Sequence, residues 1–304
     1  MLTHLALALV PALAQAPAAP AQAAPIAGIQ AALPGNLVDV AASNGNFTTL
    51  VTALQITGLD QALDGSQSSS RLTVFAPTDA AFNNLPAGAL SSLVADPDAL
   101  SEVLLYHVTG GGLLASNVLA SPTIDMLNGQ RTAISLQGGS PFIDGSQIQV
   151  TDIVCANGVI HVIDAVLQPA TDSLLATAVG APEAAYLTAL LGFTSLIPIL
   201  EDGTFTVFAP TNAAFQQIPP STLRSLVTTT GVPTLESILL VHVVPGRLFA
   251  DEVIAAGQLT TVGGKVLPVT VQNGAVFVDG AEVIFADVQT ANGNIHFIDT
   301  VLQP

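Results

Sequence analysis

Apolar residues recur at Phe47, Leu50, Val51 and Leu54, the i, i+3, i+4, i+7 spacing of one helical face. Asn46 stands in front of them, where a side-chain cap belongs. Leu72–Phe75 is a short apolar strand that runs into Ala76-Pro77-Thr78. Pro77 sets a turn, and Thr78 or Asp79 then caps a short helix carrying Phe82. Asp96-Pro97 is a cap followed by a proline at the first helical position, which predicts a helix through about Leu105. From Thr123 onward the period changes. Arg131–Gln137, Gln147–Val154 and Val159–Leu167 read as strands broken by glycines. Helices lead, strands follow and one strand is inserted early, which is an α+β arrangement.

The whole order then returns. TVFAPTDAAF at Thr73–Phe82 reappears as TVFAPTNAAF at Thr206–Phe215, nine of ten residues identical. ANGVIHVIDAVLQP at Ala156–Pro169 reappears as ANGNIHFIDTVLQP at Ala291–Pro304, eleven of fourteen identical. LLYHV at Leu104–Val108 reappears as LLVHV at Leu239–Val243. The offsets are 133, 135 and 135 residues. A period near 135 is the size of a domain, against roughly 20–50 residues for a solenoid repeat. Residues 36–169 and 170–304 are therefore expected to be two tandem copies of one module, each with its own core.

Composition narrows the function. Half of the 304 residues are apolar and 9% are charged, a globular balance. Acids outnumber bases 22 to 5, for a formal charge of −17. Nucleic acid is excluded as a partner, since phosphate contacts need Lys and Arg. Charge alone also disfavours an anionic membrane. The single cysteine, Cys155, allows no intramolecular disulfide, and its counterpart Thr290 shows that the second copy needs no thiol. No HExxH, Cys/His cluster, GxSxG, P-loop or dinucleotide fingerprint is present, so neither an enzyme class, a metal nor a cofactor is indicated. Residues 1–23 read as an export signal: Leu5–Ala14 is an apolar run of ten, too short to span a bilayer, with small-x-small sites at Ala12–Ala14 and Ala21–Ala23. Residues 24–35 read as an Ala/Pro-rich linker, and no transmembrane segment is indicated.

The two long blocks resemble the two signature regions of the fasciclin domain, and the Tyr106-His107 pair between them is similar to its Tyr-His segment. The resemblance covers nearly everything after residue 36, twice. It implies a wedge-shaped β-sandwich with several flanking helices in each copy. It also implies extracellular, non-enzymatic modules that bind a cell-surface or matrix protein or a glycan. Self-association is a separate candidate mode for the chain. The low charge leaves room for a rival, a carrier of an apolar pigment or lipid. Asp152-Ile153 resembles the Asp-Ile pair that animal fasciclin domains present to integrins, and the second copy has Asp287-Val288. Tyr106, His107, Asp152 and Ile153 are thus candidate partner-binding residues. Tyr106 becomes Val241 in the second copy, so the first copy is expected to bind better.

The remaining recurrent polar residues read as structural. Thr78 and Asp79 recur as Thr211 and Asn212. Aspartate and asparagine cap about equally well, so exchanging Asp79 for Asn is expected to be nearly silent. His107, His242, His161 and His296 fit buried imidazoles with both nitrogens bonded. A site of two histidines per module is the sharper alternative. Asp164 and Asp299 follow apolar strand residues; by alternation Asp164 shares a face with Ile160, Val162 and Val166. There it would accept backbone N–H bonds and lock a loop, or else transfer protons. Asn46-Phe47-Thr48 is a glycosylation sequon.

Overall fold

A computed structural model describes residues 35–65 and 70–304; the expected export signal and nearly all of the linker lie outside them. The chain divides into two compact units between Gln168 and Pro169. In the first unit, α1 (Leu37–Asn44), α2 (Thr48–Thr57) and α3 (Asp60–Leu63) precede β1 (Leu72–Pro77). Helices α4 (Asp79–Asn83), α5 (Ala89–Ala95) and α6 (Pro97–Leu105) follow, then β2 (Val108–Gly110) and α7 (Ala115–Ala120). Strands β3 (Thr123–Asp125), β4 (Arg131–Gln137), β5 (Ser140–Ile143), β6 (Ser146–Cys155) and β7 (Gly158–Ile163) complete it.

The second unit repeats the order. It has α8 (Leu174–Gly180), a 3-10 turn (Pro182–Ala184), α9 (Ala185–Leu191), α10 (Ile197–Asp202) and β8 (Phe205–Pro210). Next come α11 (Asn212–Gln216), α12 (Pro220–Leu226), α13 (Val232–Val241), β9 (Val243–Pro245) and α14 (Ala250–Ala256). Strands β10 (Gln258–Thr260), β11 (Val266–Gln272), β12 (Ala275–Val278), β13 (Ala281–Thr290) and β14 (Gly293–Ile298) end it.

Each unit holds one seven-stranded sheet, ordered β2-β1-β7-β6-β5-β4-β3 in the first and β10-β11-β12-β13-β14-β8-β9 in the second. Among the described residues only β1–β7 and β8–β14 pair in parallel; these are the strands of the two repeated blocks. The first sheet curls until its ends meet, where Leu127 N–H donates to the Val108 carbonyl (2.8 Å) and the Thr109 hydroxyl to the Asp125 carbonyl (2.7 Å). Closing the sheet protects strand edges that would otherwise invite pairing with another chain.

The two sheet faces bury separate cores. Helices cover one, packing Leu50, Leu54, Phe82, Leu100 and Leu104 onto Ile160 and Val162. The other lies inside the curl, around Phe75, Ile143, Ile148, Ile163 and Leu167. Each unit is thus an α+β sandwich-like sheet with flanking helices. The tight turns follow the sequence: Asp144-Gly145 and Asp279-Gly280 both take positive φ (45° and 80°, 51° and 82°), as a two-residue hairpin demands.

Asp96 accepts Ala99 N–H at 3.1 Å with Pro97 at the first helical position. Two local expectations fail. Asn46 does not cap α2, because its amide turns to Asn44. The strand expected through Leu167 stops at Ile163, since Asp164 N–H and carboxylate both turn back to Gln147.

Candidate functional site

The most distinctive stretch of each sheet is an irregularity in β6 and β13. In β6 the register against β7 slips twice, between Ile148 and Val150 and between Val150 and Ile153. In β13 it slips at the matching places, either side of Phe285. Extra residues in a strand form bulges that re-aim side chains. Asp152 and Asp287 sit in these bulges at φ 61° and 62°. Asp tolerates that left-handed backbone better than most residues.

Three bonds hold the aspartate there. Its N–H donates to His161 Nδ1 (3.3 Å), and its carboxylate accepts Ala115 N–H (2.7 Å), capping α7. His161 Nε2 in turn bonds the Leu113 carbonyl (2.9 Å), and its ring stacks on Phe75. A carbonyl only accepts, so Nε2 carries the proton and Nδ1 the lone pair. The second unit repeats every part: Asp287 N–H to His296 Nδ1 (3.2 Å), Asp287 to Ala250 N–H (2.8 Å), His296 Nε2 to the Leu248 carbonyl (3.0 Å). Burial holds both imidazoles below the usual histidine pKa. Asp152 and Asp287 remain exposed, while Ile153 is half-buried against the helical core.

Tyr106 and His107 lie elsewhere. Tyr106 is 4% exposed in the core inside the curl. Its hydroxyl donates to Asp144 (2.6 Å). Burial first, and then the Asp144 carboxylate, raise its pKa. His107 is 1% exposed. Nδ1–H donates to the Val103 carbonyl (2.7 Å), and Nε2 accepts Leu167 N–H (2.9 Å). His242 makes the same pair of bonds, to Ile238 and Leu302. These rings pin the exit segment onto the preceding helix. The expected contact surface at Tyr106-His107 is therefore corrected: both side chains are interior.

The second unit replaces the tyrosine by other chemistry. Asp144 also accepts Ala133 N–H (2.7 Å). The residue equivalent to Ala133 is Pro268, which has no N–H to give. Asp279 is served instead by Lys265 Nζ (2.8 Å), which also donates to the Gln303 carbonyl. The apolar Val241 then fills the tyrosine's place in the core.

Thr78 caps α4 through Ala81 N–H (3.2 Å), and Thr211 caps α11 through Ala214 N–H (3.3 Å). Asp79 does something else. Its carboxylate accepts Thr49 N–H (2.7 Å), Thr48 N–H (3.2 Å) and the Thr48 hydroxyl (2.7 Å), capping α2 thirty residues earlier. Partial burial alone would raise its pKa, but these bonds outweigh it and hold the carboxyl at about 2. Asn212 serves a different start: its oxygen accepts Tyr186 N–H (3.0 Å) and its amide donates to the Pro182 carbonyl (2.7 Å). An amide suits that site, whereas at Asp79 it would aim N–H groups at donors. Asp79→Asn is therefore expected to cost ~1 kcal/mol at neutral pH, the usual worth of a cap plus its charge at a helix start. Urea denaturation of the variant measures this.

Asp164 lies just past β7, half-buried, where its carboxylate accepts Gln147 N–H (2.8 Å) and the Ser146 hydroxyl (3.0 Å). Asp299 accepts Glu282 N–H (2.9 Å) in the same way. Both clamp a hairpin. Asn157 and Asn292 are anchors that sequence reasoning passed over. Asn157 accepts Leu37 N–H (2.8 Å) and donates to the Leu63 carbonyl (2.7 Å), tying α1 and α3 to the β6–β7 turn. Asn292 repeats this with Leu174 and Leu200. Their signal was the Ala-Asn-Gly triplet, intact in both copies. Cys155 is buried, and burial pushes its thiol up to about 11. Among the described residues, no group of three or more His, Cys, Asp and Glu is placed to hold a metal ion.

The fasciclin-domain family model matches residues 45–169 and 182–304, both units. The chain belongs to the fasciclin family. It is 29% identical to human periostin over 245 residues, 80% of this chain and 28% of that protein. It is 29% identical to the transforming growth factor-beta-induced protein ig-h3 of Sus scrofa over 285 residues, 91% of this chain and 41% of that protein. The immunogenic protein MPB70 of Mycobacterium bovis is 38% identical over 138 residues, 44% of this chain and 69% of that protein. The chain thus spans well under half of the two longer relatives. Read on the fasciclin domain, the bulge is the one exposed part of the four-residue candidate set. Among the described residues no single helix is long and apolar enough to cross a membrane.

Proposed function

We propose that this chain is an exported, non-enzymatic adhesion protein whose two fasciclin domains bind a cell-surface or matrix protein or a glycan. The observation that carries the reading is the duplicated bulge. Two units build the same strained, exposed aspartate on the same buried histidine, at the edge where Asp152-Ile153 and Asp287-Val288 stand. Two weak contacts on one chain raise avidity without a strong single site. Membership in the fasciclin family supports the same reading.

A pigment or lipid carrier is the less economical alternative. Apolar pockets lie beneath the helical layers, lined by Leu54, Leu104 and His107 in one unit and Leu191, Leu239 and His242 in the other. They measure about 20 and about 30 Å³, room for a water or two. Small-molecule sites hold roughly 300–1,000 Å³.

The test is retention of the full chain on the native cell surface. The Asp152→Ala, Asp287→Ala double variant is expected to lose most of its binding. Melting curves separate that loss from the ~1 kcal/mol carried by each helix cap. Undiminished adhesion by the double variant would overturn the reading. N-terminal sequencing of the exported chain is expected to find a start after Ala14 or Ala23.

A further inference from the structure

The two bulges are alike in backbone and unlike in what they display. A regular strand alternates, so neighbouring residues cannot both face solvent. The slips around Phe285 break that rule. Ile284 and Phe285 are 46% and 58% exposed, side by side in sequence. At the matching positions the first unit has Gln149 and Val150.

The charges around them differ in the same direction. On β13, exposed Glu282 precedes the apolar pair and exposed Asp287 follows it. Asp287 caps α14, which brings exposed Asp251 and Glu252 to the same edge. The first unit has Gln147 for Glu282, and α7 begins Ala-Ser-Asn, leaving Asp152 as the carboxylate of that edge. One unit therefore shows an apolar pair with an acidic rim, and the other shows a valine beside one aspartate.

From this contrast we infer that the second unit's bulge edge is the chain's main docking surface, for a protein partner that rings an apolar pocket with Lys and Arg. The inference rests on the adhesion reading for its biological use and names the partner class for the same edge. An exposed aromatic flanked by polar groups is the usual anatomy of a hot spot, with the ring in a pocket and charges at the rim. The rim carboxylates select a basic surface and speed its approach. The second unit, and not the first as Tyr106 had suggested, becomes the stronger binder.

The probe is a displayed library of random peptides, selected on the immobilised full chain. Enriched peptides are expected to carry Lys or Arg on both sides of a large apolar residue. Synthetic copies should bind Phe285→Ser about 30-fold more weakly, the loss typical of a hot-spot residue. Phe285→Val, which installs the first unit's own residue, should also weaken binding and protects the test against misfolding. Glu282→Gln with Asp251→Asn should flatten the salt dependence, and Val150→Ser should change nothing. A selection that enriches no family of peptides overturns the inference. So do peptides without basic residues, or equal binding by wild type and both Phe285 variants. Adhesion of the wild-type chain to cells is scored separately. Its failure beside a basic-apolar peptide signature removes the adhesion reading and leaves the docking surface standing.

Discussion

Gly158→Ala is expected to destabilise the first unit sharply while Gly110→Ala leaves it nearly unchanged. Gly158 opens β7 directly beside β1, in the parallel pairing that joins the two repeated blocks. A Cβ there would lie 2.1 Å from the Leu72 carbonyl oxygen and 2.9 Å from Leu37 Cδ1. The first obstacle is backbone, so no rotamer change relieves it. Either the parallel pair separates or the strand slips, and a slip by one residue would turn Val159 and Ile160 to the wrong faces. Overpacking typically costs ~1–3 kcal/mol, and an obstacle made of backbone puts this site at the top of that range or above it. Gly293 is in the same position, its Cβ meeting the Phe205 oxygen at 1.9 Å. A Cβ on Gly110, by contrast, meets nothing within 4 Å. Amide exchange read residue by residue decides the matter: protection should vanish from β1 and β7 in Gly158→Ala and persist in β8 and β14.

Acid is expected to destabilise each unit steeply between pH 6.5 and 4. Burial depresses His107 and His242 from 6.5 to about 4, against the opposing help of the Val103 and Ile238 carbonyls. The sign follows from which state takes the proton. Above pH 6.5 the ring is neutral in both the folded and unfolded chain, and pH has no leverage. Between 6.5 and 4 the unfolded ring is protonated and the folded ring is not, so stability falls as pH falls. The full loss is about 3 kcal/mol per unit. Burial holds His161 and His296 down too, so they steepen the same fall. Asp79 acts in a lower window: its depressed pKa stabilises the fold above 3.8 and that contribution fades towards about 2. Denaturation midpoints across this range measure the slope. His242→Gln should be less stable at pH 7 and flatter below pH 6.5. An unchanged slope would show that the buried ring is not what the acid reaches.

The family and the α+β sandwich were legible because the repeated blocks are the most constrained backbone. TVFAP and GVIHVI are the adjacent parallel strands β1 and β7, where both faces are buried. Capping by Asp96 was legible because its target lies three residues away. Asp79 misled for the opposite reason: it stands at one helix start and serves another thirty residues off. Tyr106 could not be placed from its neighbours, since the group that receives its hydroxyl is 38 residues along. The bulges hid because they suspend alternation, the rule by which strands are read. Strand alternation places Asp164 on a buried face because it carries no sign of the turn that ends β7 at Ile163.

The tyrosine-for-lysine exchange also bears on how two such similar copies stay distinct. Blocks identical at nine of ten and eleven of fourteen positions invite recombination between one copy and the other. Any crossover between the tyrosine position and the lysine position splits a matched set. One hybrid brings a tyrosine hydroxyl and a lysine ammonium to the same aspartate. The reciprocal hybrid brings Val241 and Gln130, and the aspartate keeps the Ala133 N–H but receives neither side-chain donor. Exchanges that carry the whole stretch from Tyr106 to Asp144, or Val241 to Asp279, keep their sets together. The hydrogen-bonding partners of one surface aspartate thus mark out a segment that is inherited whole or not at all, and shuffled chains with breakpoints inside it should be the poorly folding ones.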